Sequence, residues 1–105
     1  ISMQFFQIIA QMEPFGPDNM RPIFLAKNVL DTGYSKLVKE AHISFNLTQG
    51  NNSVRGIGYN MPEHMKIIKS GKPFDLVFQL QLNEWQGNQS VQMQVMDIKP
   101  TEVNN

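Results

Sequence analysis

The chain has no cysteine, which excludes disulfides, thiolate catalysis and thiolate metal sites together. This absence suits a cytoplasmic setting. It also has no apolar run near the ~20 residues of a membrane helix, so no membrane association is expected. Ile1-Ser2-Met3 lacks the basic segment and apolar core of a signal peptide. Without a methionine at position 1, the chain reads as a piece of a longer protein. Its charge has no sign, since nine Lys and Arg balance nine Asp and Glu. That speaks against a strongly basic, duplex-coating protein and leaves room only for a local basic patch. Chemistry is equally scarce. His42 and His64 stand far apart without metal-ligand spacing, the acidic residues form no Asp-x-Asp or Asp-His-His motif, and no glycine-rich phosphate loop precedes a helix. No catalytic residue, metal ligand or cofactor is expected in this chain.

What is present is patterned apolar sequence, enough for one small domain of 105 residues. Phe5, Ile8, Ile9 and Met12 recur at helical spacing, with Ser2 as N-cap and Pro14 as terminator, which predicts a three-turn helix over residues 1–13. That helix is expected to join a preceding domain. Glu13 to Pro22 holds three prolines and a glycine and reads as a rigid turn. From Ile23 the period becomes two. Strands are predicted at Ile23–Leu30, Ala41–Thr48, Ser53–Tyr59, Leu76–Asn83 and from Val91, with a bulge after Val95 where the apolar parity flips. Gly56 and Gly58 mark a bulge or a close backbone approach in the third. A short helix between the third and fourth strands is expected to be capped by Asn60, with Pro62 in its first turn, Glu63 in the capping-box position and Gly71 at its end.

Five strands with a helix between the third and fourth is the plan of an OB-fold, an all-β Greek-key barrel with short helices. An SH3-like barrel competes but has shorter strands. The domain is expected over residues 14–100, followed by a polar tail at 101–105. OB-folds bind ligands on the face of strands two and three and in the loops joining strands one to two and four to five. Those places hold Tyr34, Lys36 and Lys39, then His42, Asn46 and Arg55, and finally Trp85, the only tryptophan, at a hairpin tip. Aromatics with dispersed cations suit a single strand, whose bases stack on rings while Lys and Arg follow phosphates. Each residue also has a plainer reading. Trp85 can fold back as a plug over the barrel end, Tyr34 can pack on its own loop, and the lysines can be solvated charges. Arg55 is ambiguous, because if it faces outward then Ile57 and Tyr59 must face outward with it.

Two motifs point to a family. Pro14-Phe15-Gly16-Pro17-Asp18-Asn19-Met20-Arg21-Pro22-Ile23-Phe24 resembles the Pro-Phe-Gly-x-Gly-Asn-x-x-Pro-x-Phe start of the OB domain in RecJ-type single-strand-specific DNA exonucleases. Asn83-Glu84-Trp85-Gln86-Gly87, with Val91-Gln92 and Asp97-Ile98-Lys99-Pro100, is similar to that domain's last hairpin. His42-Ile43-Ser44-Phe45 resembles a His-Leu-Lys-Leu segment of the family. Asp18 replaces a glycine, Met20 a proline, and Ser44 a lysine that would contact phosphate. The resemblance implies a single-stranded-DNA-binding OB domain, with weak binding by the isolated domain. Its parent would be a 5′–3′ exonuclease of DNA repair and recombination, with Mn²⁺ or Mg²⁺ held by other, catalytic domains. A module that braces those domains or docks a repair partner is the second expectation. An oligosaccharide-binding barrel using Gln79, Gln81, Gln92 and Gln94 is the third.

Overall fold

The computed structural model describes the backbone of Ala10–Met12 and residues 21–102 in full. Seven strands form one antiparallel-dominated sheet: β1 (Ala10–Met12), β2 (Ile23–Asp31), β3 (Lys36–Val38), β4 (His42–Gln49), β5 (Asn52–Gly58), β6 (Phe74–Trp85) and β7 (Asn88–Pro100). A 3-10 turn at Pro62–His64 leads into the short helix α1 (Met65–Ile68) between β5 and β6. The sheet order is β1-β2-β6-β7-β5-β4-β3, and β4 pairs again with β2 through Leu30–Thr48 and Asp31–Leu47. Five of the strands therefore pair in a circuit that returns to β2.

Alternation explains the core. Ile43, Phe45 and Leu47 of β4 point inward and are fully buried, as are Phe74 and Phe78 of β6 and Met93 of β7. Ala26 and Val29 of β2 join them. The two do not share a parity, because β2 carries an extra residue between Ala26 and Val29, where Asn28 takes a positive φ of 57°. The bulge is hydrogen-bonded from both sides. Asn28 N–H donates to the buried Asp75 carboxylate, the Thr101 hydroxyl donates to the same oxygen, and Gln49 Nε2 donates to the Lys27 carbonyl. The expected bulge in the last strand is present. Phe78 faces Val95 while Val77 faces Asp97, leaving Met96 as the extra residue, so that Val95 and Ile98 are both buried.

Three expectations require correction. Ala10–Met12 is not the end of a helix but a strand paired with Met12 opposite Ile23. A three-turn helix is marginal in water, whereas the open edge of β2 supplies backbone partners at once. Phe5, Ile8 and Ile9 lie outside the described residues, as does the turn at 13–20. Second, the described residues form seven strands rather than five, because β1 and β3, at three residues each, are too short to show alternation. Third, Asn60 does not cap the helix. Met61 holds that position without a side-chain cap bond, and Asn60, at φ 55°, donates its N–H to His42 Nδ1.

Gly56 and Gly58 are explained by close approach. A Cβ on Gly56 would sit 2.9 Å from the Met93 carbonyl oxygen, and one on Gly58 2.7 Å from Cε2 of Phe45 and 2.6 Å from Sδ of Met61. Gly56 faces Met93 where β5 and β7 run parallel, a pairing of only two residue pairs. Gly56→Ala is expected to destabilise the chain by ~1–3 kcal/mol through forced displacement of the β7 backbone. Urea unfolding of the two proteins measures it.

Candidate nucleic-acid interface

Register places the candidate residues. Side chains at paired positions share a face, so β3, β4, β5, β7 and β6 contribute one outer surface in successive rows. Lys36, Ser44, Ile57, Gln94 and Gln79 form one row across all five strands. Asn46 pairs with Arg55 in the next. On the last hairpin the same face continues through Gln81–Gln92 and Asn83–Ser90 to Trp85–Asn88. Arg55 does face outward, with Ile57 half-buried and Tyr59 exposed beside it, as the period of two requires.

Tyr34, Lys36, Ser44, Asn46 and Arg55, with Phe45 at the floor, line an open groove of about 530 Å³. Its rim is the loop between β2 and β3, and that loop is tied down by hydrogen bonds. The buried Ser35 hydroxyl accepts the Asn46 N–H at 2.8 Å and donates to the Asn46 carbonyl at 3.1 Å. The Thr32 N–H and hydroxyl reach the same carbonyl at 3.0 and 3.1 Å. Asp31 accepts the Ser35 N–H on one oxygen and Lys69 Nζ on the other, at 3.1 and 2.9 Å. With both flanks fixed, Tyr34 stands out into solvent, 76% exposed. The reading of Tyr34 as packed on its own loop does not hold.

Trp85 is likewise 74% exposed and does not plug the barrel end. It is the last residue of β6, carried out by a two-residue turn in which Gln86 and Gly87 both have positive φ, 51° and 81°. Such a turn matches the strand twist and makes a stiff hairpin. The amides behind it interlock, Asn83 Nδ2 donating to Gln92 Oε1 at 2.9 Å. Lys36, expected in a loop, lies on β3; Lys39 sits on the turn beyond it, away from the groove lining. His42 lies two residues from Ser44 on the same face of β4, one row beyond the groove lining. Tyr59, which sequence reasoning raised only as a neighbour of Arg55, meets it ring to ring at 5.4 Å.

The cations of the groove are unneutralised. Among the described residues the ion pairs are Lys69–Asp31 and His64–Asp97, and neither Lys36 nor Arg55 has a carboxylate partner. Also among the described residues, no three His, Asp or Glu side chains converge to hold a metal. No helix among these residues is long and apolar enough to cross a membrane.

A family model described as the RecJ OB domain matches residues 1–97. The chain belongs to the RecJ OB domain family. No curated protein matches it. OB-folds bind ligands on the face of their second and third strands, which correspond here to β4 and β5, and both contribute to the groove lining. An OB domain alone is not catalytic, in keeping with the scarcity of reactive side chains.

The loop's anchor is acid-sensitive. Burial pushes the Asp31 carboxyl up, but the hydrogen bonds from Ser35 and Lys69 and from the Ser35 and Gly33 amides outweigh it, holding the group below its ordinary value of 3.8. A depressed carboxylate stabilises the folded state fully above that ordinary value and loses its contribution as pH falls through the folded one. Thermal melts from pH 6 downward are expected to show an acid-dependent loss setting in below about pH 4. Asp31→Asn should remove this component and lower stability near neutrality.

Proposed function

We propose that this RecJ OB domain forms a five-stranded Greek-key barrel that binds single-stranded DNA as part of a 5′–3′ exonuclease of repair and recombination. Its setting would be cytoplasmic, with Mn²⁺ or Mg²⁺ belonging to the parent's catalytic domains. The observation that carries the reading is the groove at Tyr34, Lys36, Asn46 and Arg55, with two unpaired cations beside an aromatic ring held in solvent. Bases stack on Tyr34, Lys36 and Arg55 meet phosphates, and Asn46 offers hydrogen bonds that any base can use. Trp85 adds a second ring where the same face runs out along the hairpin. Lys39 and His42 lie outside this groove.

Stacking on one ring contributes ~1–3 kcal/mol, so one or two rings and two cations give weak binding. With two phosphates neutralised, log K should fall against log salt with a slope of about −1.4. Quenching of the single tryptophan by oligo-dT at several salt concentrations measures both quantities. Replacing Lys36 and Arg55 together by Gln should flatten the slope toward zero, and no quenching at millimolar oligonucleotide would refute the reading.

One observation favours a second role for the hairpin. On its other face Leu82 pairs with Val91, and these apolar side chains are 62% and 43% exposed. This pair suits bracing against the catalytic domains. If it does so, Leu82→Ser should weaken association with those domains while oligonucleotide affinity stays unchanged.

A further inference from the structure

The row of the face next to Lys36, Ser44 and Ile57 carries a second constellation outside the groove lining. Gly58 ends β5, and Tyr59 follows in outward register with Arg55 and Ile57. The chain there is held to β4 by two bonds beyond the regular ladder. Asn60 N–H donates to His42 Nδ1 at 3.1 Å, and Met61 N–H to the Ala41 carbonyl at 3.2 Å. An Nδ1 that accepts an amide proton carries none of its own, so the neutral ring bears its proton on Nε2. His42 is thereby set as a donor, and among the described residues its Nε2 has no partner. The imidazole meets the Tyr59 ring at 75°, which fixes the phenol ring in place while leaving the residue 45% exposed. A rigid, half-open aromatic loses little entropy when something stacks on it.

The adjoining turn adds a cation by an unusual route. Val38 pairs with His42, and the two residues that follow it, Lys39 and Glu40, both take left-handed backbone, at φ 54° and 59°. Ala41 N–H closes the turn on the Val38 carbonyl at 3.2 Å, and a turn whose two central residues both take positive φ strongly favours Asn-Gly there. Here the positions are filled by charged residues that gain nothing from the conformation. Strain of that sort collects where a side chain is needed.

The geometry points to a second nucleotide subsite, formed by Tyr59, His42 and Lys39, distinct from the groove at Tyr34 and Arg55. It rests on the single-strand-binding reading above and extends it. A base stacks on Tyr59, the His42 Nε2–H donates to a base or sugar oxygen, and Lys39 meets a phosphate. Arg55 and Tyr59 stand four residues apart on one strand, about 13 Å. At the ~3.4 Å spacing of stacked nucleotides, or a wider one when the strand is extended, that separation accommodates about two to four nucleotides. The two subsites then set the line, along β5, on which the strand lies.

The test is a titration of the wild-type chain with an oligo-dT of about eight nucleotides, followed by the aromatic proton signals of Tyr34, Tyr59 and Trp85 and the imidazole nitrogens of His42. Tyr59 signals should shift upfield under a stacked base, and the free His42 should show Nε2 as the protonated nitrogen. Tyr59→Leu should weaken binding about 5- to 100-fold without a change in melting temperature. Replacing Lys39-Glu40 by Asn-Gly should raise the melting temperature and lower the affinity together, an opposition that a purely structural turn does not give. Shifts at Tyr34 and Trp85 with none at Tyr59, or unchanged affinity in Tyr59→Leu, would overturn the subsite and leave the groove standing. If Tyr59→Leu fails to fold, the wild-type shifts decide the matter alone. No shift anywhere would overturn the binding reading and the subsite with it.

Discussion

The close approach of β7 to Gly56 is the constraint on which the rest depends. Two residue pairs, Gly56–Met93 and Ile57–Gln94, join β5 to β7, and they are the only parallel pairing among the described strands. A side chain at Gly56 would displace the Met93 carbonyl that lies there. Without this junction the pairing circuit opens between β5 and β7. The β2–β6–β7 part would then be joined to β3–β4–β5 only by the two residue pairs of β2 with β4. The same junction makes the outer surface continuous, setting Ile57 beside Gln94. The pairing circuit and the continuity of its outer face thus both depend on one missing Cβ.

Asn46 plays the corresponding part for the groove. Its backbone belongs to the β4 ladder, yet its N–H and carbonyl are also bound by Ser35 and Thr32 of the preceding loop. The loop that carries Tyr34 is therefore registered directly on the strand that carries Asn46. Lys69, just past α1, reaches across to Asp31 and fixes the loop from its other side. A loop held in this way loses little entropy if a ligand packs on it.

Much of this was legible in the sequence, and the failures have physical causes. The alternation of β4 and the parity flip after Val95 were readable because buried sheets impose a strict period of two. Gly56 and Gly58 signalled close approach correctly. The strands β1 and β3 left no periodic trace in three residues, and apolar spacing at Met12 served a strand as well as a helix. Among the site residues, Tyr34, Lys36, Asn46 and Arg55 are brought to one groove, although Lys36 does so from a strand. Lys39 and His42 are not. Tyr59 reads only as facing outward with Arg55, and its contact with the His42 ring, beside the Asn60 N–H bond to His42 Nδ1 from eighteen residues away, is not anticipated. The Asn60-Met61-Pro62-Glu63 pattern read as a helix cap for the same reason: the turn residue there bonds to a neighbouring strand rather than to the helix.

Zero net charge, which argued only against a strongly basic, duplex-coating protein, is better read residue by residue. Asp31 pairs with Lys69, and buried Asp75 accepts the Asn28 amide and the Thr101 hydroxyl inside the fold. Neither acid lines the groove. These two acids serve structure, while Lys36 and Arg55 have no carboxylate partner among the described residues. If the groove takes a single strand as proposed, two cations limit the electrostatic part of the affinity, and stacking on the exposed rings supplies most of the rest.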